Sequence, residues 1–140
     1  MNNLKYYIFV SLFIFLINNY SKGQNASFIN ECNELIKYPF IPDGHDYSAE
    51  ITQDGKGEFK TTFYGGSTYR IVTCSNLPQG KVIFTIYDNE KNKLFCNKNY
   101  NYSSYWDFTF RSTIDCIIEV KFESEIAKKA IIKLIIAFKN

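Results

Sequence analysis

Histidine, tryptophan and methionine each occur once in this 140-residue chain, and proline only three times. A single histidine rules out a zinc site built on imidazoles, and leaves a Ser–His–Asp hydrolase one possible base, His45 in PDGHDY. No G-x-S-x-G stands anywhere, so the nucleophile elbow of the α/β-hydrolases is missing. The cysteines form no C-x-x-C pair, and thiolate metal sites lack their usual spacing. Gly65-Gly66 leads into a strand-like run rather than a helix, so it reads as a turn and not as a phosphate loop. The longest apolar run before the C-terminus, Tyr6 to Ile17, falls short of the roughly 20 residues that span a bilayer.

That run has another meaning. Lys5 precedes it, polar NNYSKG follows it, and Ser21 and Gly23 are small residues flanking Lys22. This is the layout of a secretory signal over residues 1–23, with cleavage expected between Gly23 and Gln24. The first cysteine, Cys32, lies well past that site, which argues against a lipid anchor. Signal removal takes Lys5 and Lys22 and no acid. Fourteen bases then face fourteen acids over residues 24–140, a net charge of zero and one domain's worth of chain. Nucleic acid is therefore not an expected partner, because neutralising phosphates needs a basic stripe. Lys128, Lys129, Lys133 and Lys139 follow Glu119, Glu123 and Glu125 closely, and together read as a solvated strand face.

All four cysteines, Cys32, Cys74, Cys96 and Cys116, fall in the exported part, and an even number there predicts one or two disulfides, two having three possible connectivities, with free buried thiols as the alternative. The spacing predicts one helix, over 27–37 (SFINECNELIK). Ser27 stands as N-cap, and Phe28, Cys32, Leu35 and Ile36 share one face. Pro39 and Pro42 then end it. From Tyr47 onward short runs alternate with turn signals: YSAEITQ, DGKG, EFKTTFY, then STYRIVTC, KVIFTIYD, KLFCN, YWDFTF, STIDCIIEVKF and AIIKLIIAF. In STIDCIIEVKF, Ile114, Cys116, Ile118, Val120 and Phe122 share one face while Asp115, Glu119 and Lys121 share the other. The last run, apolar on both faces, is expected to be a buried edge-closing strand; at about nine residues it too is short of a bilayer span. The expected fold is all-β: an antiparallel sandwich, jelly-roll-like, of seven or eight strands with one short N-terminal helix.

Candidate chemistry is sparse. His45 has Asp43 and Asp46 beside it as possible orienters, but a lone histidine in a Pro/Gly turn is first a solvated loop residue. Glu50, Asp54, Glu58, Asp88, Glu90 and Asp107 could supply a glycosidase pair, yet most stand where aspartate hydrogen-bonds its own turn. DNEKN (88–92) faintly suggests a calcium loop but lacks the central glycine and the closing glutamate of an EF-hand. No cofactor or metal is called for. The densest aromatic stretch is NYNYSSYWDF (99–108). Alternation puts Trp106, Phe108 and Phe110 on one face as a core stripe, which leaves Tyr100, Tyr102 and Tyr105 as candidate ligand-binding residues for a sugar or peptide.

The blocks FYGGSTYRI, YWDF and STIDCIIEV together resemble small secreted proteins of Bacteroidetes, over nearly the whole exported chain. The order of its strands is also remotely similar to pre-peptidase C-terminal-like domains, β-sandwiches appended to secreted enzymes. The first resemblance implies export; the second implies a binding role, without the enzyme that normally accompanies it. Cys74 at a strand end and Cys116 on an inward face suggest one bridge between them, leaving Cys32 to meet Cys96. The resulting expectation is a secreted or periplasmic, non-catalytic binding module for an extracellular or envelope ligand such as a glycan. The alternatives are a small hydrolase using His45 and nearby acids, and a structural cell-surface accessory protein.

Overall fold

The computed structural model describes residues 23–140, so the expected signal, Gly23 apart, lies outside the described residues. The order is helix α1 (Gly23–Glu34), then β1 (Ile41–Pro42), β2 (Tyr47–Gln53), β3 (Lys56–Phe63), β4 (Thr68–Ser75), β5 (Val82–Asp88) and β6 (Lys93–Cys96). A single 3₁₀ turn (Asn97–Tyr100) leads to β7 (Tyr105–Thr109), β8 (Ile114–Phe122) and β9 (Ile126–Lys139). One sheet runs β1–β9–β4–β7, with β2 also paired to β9; the other runs β3–β8–β5–β6, and all pairs are antiparallel. The all-β sandwich expected from the alternation is thus present, with two-residue β1 added to it.

Side chains of alternate residues fill the space between the sheets. Phe63, Phe84, Ile86, Ile118 and Val120 come from one sheet and Ile71, Ile132, Leu134 and Ile136 from the other. Each such burial contributes roughly 1.5–3 kcal/mol. Trp106 and Phe108 pack against this core as their alternation requires, and Phe110, just past β7, stacks on Phe63 with ring centroids 4.7 Å apart. The DG turn after β2 does not make a paired hairpin. β2 belongs to one sheet and β3 to the other, and Gly57 is what lets them approach, since a Cβ there would stand 2.5 Å from that of Ala49.

Three local expectations change. The helix starts at Gly23 and ends at Glu34, so Ser27 lies inside it rather than capping it. Leu35 and Ile36 follow in the turn, yet they still pack with Cys32 against Val72 and Ile135. Strand β9 is not an edge strand: it sits between β1/β2 and β4. It is apolar on both faces because the opposite sheet covers Leu134 while α1 covers Ile135.

The cysteine pairing also differs. Cys32 is bonded to Cys74, with Cα atoms 5.7 Å apart, and Cys96 and Cys116 are free thiols. Alternation along β4 points Tyr69 and Ile71 into the core, and therefore Val72 and Cys74 out towards α1. Cys116 points into the core from the opposite sheet, so it cannot reach Cys74 across the layer of side chains between them. Cys96 lies opposite Thr85 on β5 while Phe95 faces the core, which places the Cys96 sulfur on the outer face, away from both Cys32 and Cys116.

Candidate functional site

The three candidate tyrosines are placed by a chain that turns sharply. Asn101 and Tyr102 both adopt left-handed φ of 55°, so strand alternation is lost between Tyr100 and Tyr105. Tyr100 stacks on Phe95 (5.3 Å, 9°) and lies 4.3 Å from Trp106, closing the edge between β6 and β7. Tyr102 donates to Glu123, with Lys98 at 3.1 Å from the same carboxylate and the Lys81 ammonium over its ring. The Tyr102 hydroxyl and Lys98 hold Glu123 below the usual carboxylate range. Tyr105 opens β7 and faces outward, where the Arg70 guanidinium lies between its ring and that of Phe40, 4.7 and 4.3 Å from the two centroids. Arg70 also binds Asp107 through two nitrogens, at 2.7 and 2.9 Å, and donates to the Leu35 carbonyl just past α1. The rings therefore face three separate neighbourhoods and share no flat surface.

A second place gathers more functional groups. The β2–β3 connection joins strands of different sheets, so Tyr47 at the start of β2 and Lys60–Thr62 towards the end of β3 stand on opposite sides of the sandwich's open flank. Between them opens a cleft of about 710 Å³. Its floor is apolar, from Ile136, Phe138 and Tyr69; its walls carry Asp43, His45, Tyr47, Lys60 and Tyr64. The loop holding Asp43 is pinned to β9 by a bond from the Asp43 amide to the Ile136 carbonyl (2.9 Å). Asp43 then organises that wall. One carboxylate oxygen accepts from the His45 amide (3.0 Å); the other accepts from the Tyr47 hydroxyl (3.1 Å) and faces His45 Nδ1 at 3.4 Å. Burial first, and the Asp43 charge second, push the Tyr47 phenol above its ordinary pKa. The Tyr64 amide donates to the Tyr69 hydroxyl, leaving the Tyr64 ring 63% exposed on the rim.

His45 and Asp43, adjacent in the sequence reading, are thus brought together in a cleft. Asp46 is not: it accepts from Ser48 and pairs with Lys133, 3.4 Å away. The imidazole is 72% exposed, and the nearby hydroxyls are engaged elsewhere, Thr62 with Asp115 and Ser67 with Asn140. Asp88 accepts from the amides of Glu90 and Asn92 and from the Asn92 side chain, so its carboxylate closes a turn, and the Asn92 bonds lower its pKa. Among the described residues no three histidine, cysteine or acidic side chains converge as a metal site. Tyr64, Tyr69, Phe138 and Asn140 were not foreseen, because the β3–β4 turn and the chain's last residues meet only once the sheets are assembled.

No family model and no curated protein matches this chain. Among solved structures it is similar to the Aeromonas hydrophila PliG, a periplasmic lysozyme inhibitor of g-type lysozyme, with a TM-score of 0.51. The two are 8% identical over 68% of this chain and 85% of that one. At that identity the likeness is one of fold.

Proposed function

We propose that this protein is an exported, non-catalytic binding module that uses the cleft between β2 and β3 to hold a protein of the cell envelope or its surroundings. The observation that carries this reading is the cleft itself, with an apolar floor, polar walls and the rings of Tyr64 and His45 presented on its rim. The Cys32–Cys74 bond suits an oxidising compartment outside the cytoplasm. The similar inhibitor, a protein that acts on another protein, supports a protein ligand over the glycan expected from the tyrosines. Kinship with small secreted proteins of Bacteroidetes is likewise proposed, on FYGGSTYRI, YWDF and STIDCIIEV alone.

A second reading, a small hydrolase, has one observation in its favour: His45 Nδ1 stands 3.4 Å from Asp43, as a base beside its orienter. Against it, the imidazole is largely in water, and Asp43 is already shared between the loop amide and Tyr47.

One experiment separates the two. The exported protein is passed over immobilised g-type lysozyme, peptidoglycan sacculi and a glycan array, beside Tyr64→Ala, His45→Ala and a Tyr100→Ala/Tyr102→Ala/Tyr105→Ala variant. The binding reading expects retention on lysozyme that Tyr64→Ala weakens about tenfold or more. Retention on glycan that only the triple tyrosine variant abolishes moves the site to those tyrosines. Breakdown of sacculi that His45→Ala stops establishes the hydrolase. Failure to bind any of the three probes overturns the proposal.

A further inference from the structure

Among the described residues, strand β3 is the outermost strand of its sheet and pairs only with β8. Its inward side chains, Phe59, Thr61 and Phe63, line the core side, while Lys56, Glu58, Lys60 and Thr62 stand in a row on the outer face. Lys56 bridges Glu58 (3.0 Å) and Glu119 (2.7 Å). Lys60, next in the row, has no carboxylate within ion-pair distance among the described residues. A free strand edge is a template for another strand, and charged residues along it decide which strand fits.

From this row we infer that the β3 edge pairs antiparallel with the β3 edge of a second copy, about a twofold axis through Phe59. In that register Glu58 of each copy lies opposite Lys60 of the other, and Lys56 lies opposite Thr62. Both acid–base pairs are attractive, and the full length of the strand is used. A shift of two residues in either direction sets Glu58 against Glu58, or Lys60 against Lys60, and a shift of one residue sets the outer row of one copy beside the inward row of the other, which puts the two cores on opposite faces and loses the twofold axis. The pattern therefore admits one register over the whole strand and blocks its neighbours, so the edge is specific rather than generally adhesive. The other edges do not offer this. β2 and β7 carry a single charge each on their outer rows, Glu50 and Asp107, with no base to match, and β6 is four residues long. The resulting interface is isologous, joining two four-stranded sheets into one of eight strands, and, because Lys60, Thr61 and Thr62 also wall the β2–β3 cleft, it forms in place of a ligand there.

Sedimentation equilibrium of the exported protein, from micromolar to millimolar concentration, tests the pairing. The wild type is expected to approach twice the chain mass, with a dissociation constant that rises with salt. Glu58→Lys and Lys60→Glu each set like charges opposite at two places, and each is expected to weaken the dimer about tenfold or more. Glu58→Lys/Lys60→Glu restores complementarity and the dimer. An equimolar mixture of the two single variants forms a heterodimer, because each then faces its opposite. Both sites are on the surface, and far-UV circular dichroism verifies that the variants fold. A monomeric wild type throughout, a dimer indifferent to the single reversals, or folded variants whose double change or mixture fails to associate would each overturn the pairing.

Discussion

Replacing Cys32 and Cys74 together by alanine removes the bond that fastens α1 to β4. The bonded residues are 42 positions apart, and the enclosed segment contains the end of α1, β1, β2, β3 and most of β4. For a loop of that length, loop-closure entropy in the unfolded chain corresponds to about 4 kcal/mol at 25 °C. Folded domains are stable by only about 5–15 kcal/mol, so between about a quarter and four-fifths of the margin would be lost. Alanine suits both positions, because Cys32 is fully buried against Val72 and Ile135 and a hydroxyl there would lack a partner. Trp106 serves as the reporter: it is the one tryptophan, and its ring packs against Tyr100 and Phe95. Urea unfolding followed by its fluorescence is expected to show a midpoint lowered by ~2–4 M for a slope of ~1–2 kcal/mol/M. Either single substitution should cost nearly as much as the pair, since one bond is lost in each case. A loss below about 1 kcal/mol in the double variant, with an unchanged slope, would refute the entropic reasoning.

The remaining predictions concern individual contacts. Arg70→Lys gives up the fork on Asp107 and the stacking between Phe40 and Tyr105, and thermal unfolding should report a loss of about 1–3 kcal/mol. An unchanged melting temperature would mean that the guanidinium is not holding α1, β4 and β7 together. Gly57→Ala puts a methyl 2.5 Å from Ala49 Cβ and 3.2 Å from Val120 Cγ2, an overpacking of about 1–3 kcal/mol. Adding Ala49→Gly should return part of that loss; no recovery would place the strain elsewhere. Iodoacetamide without reductant should modify Cys96 well before Cys116, whose thiol burial pushes up to about 11. Mass mapping that finds Cys96 or Cys116 oxidised, or Cys116 modified first, contradicts the free-thiol assignment.

Strand positions were legible because alternation is a local property, written in residues such as Ile114 to Phe122. Strand partners were not, because this chain changes sheets at almost every turn. Of the consecutive strands only β5 and β6 pair with each other, so the DG turn that signals a hairpin instead carries the chain across the sandwich. The disulfide was misread for a related reason. On β4 the inward row Tyr69, Ile71 and the outward row Val72, Cys74 are equally apolar, since the core takes one and α1 the other. From the strand alone, Cys74 has no visible face. Once α1 is known to lie on that sheet, Cys32 becomes its neighbour and Cys116 is on the wrong side of the core.

The candidate site shows the same division between local and assembled information. His45 and Asp43 lie two residues apart, and the turn at Gly44, with φ of 83°, folds their side chains together; that much follows from the turn residues. What converts a turn into a cleft is the divergence of β2 and β3 into separate sheets, which brings Tyr64 and Phe138 to the same opening from distant parts of the chain. Conversely, NYNYSSY reads as one aromatic loop only while its residues are taken in order. Two consecutive left-handed residues, Asn101 and Tyr102, turn Tyr100 to the sheet edge, Tyr102 to Glu123 and Tyr105 to Arg70. Each ring then answers to a different neighbour. Tyr100 and Tyr105 keep 48% and 39% of their surface exposed but in different neighbourhoods, so a ligand meets them singly, whereas one entering the β2–β3 cleft meets Tyr64 and His45 together on one rim.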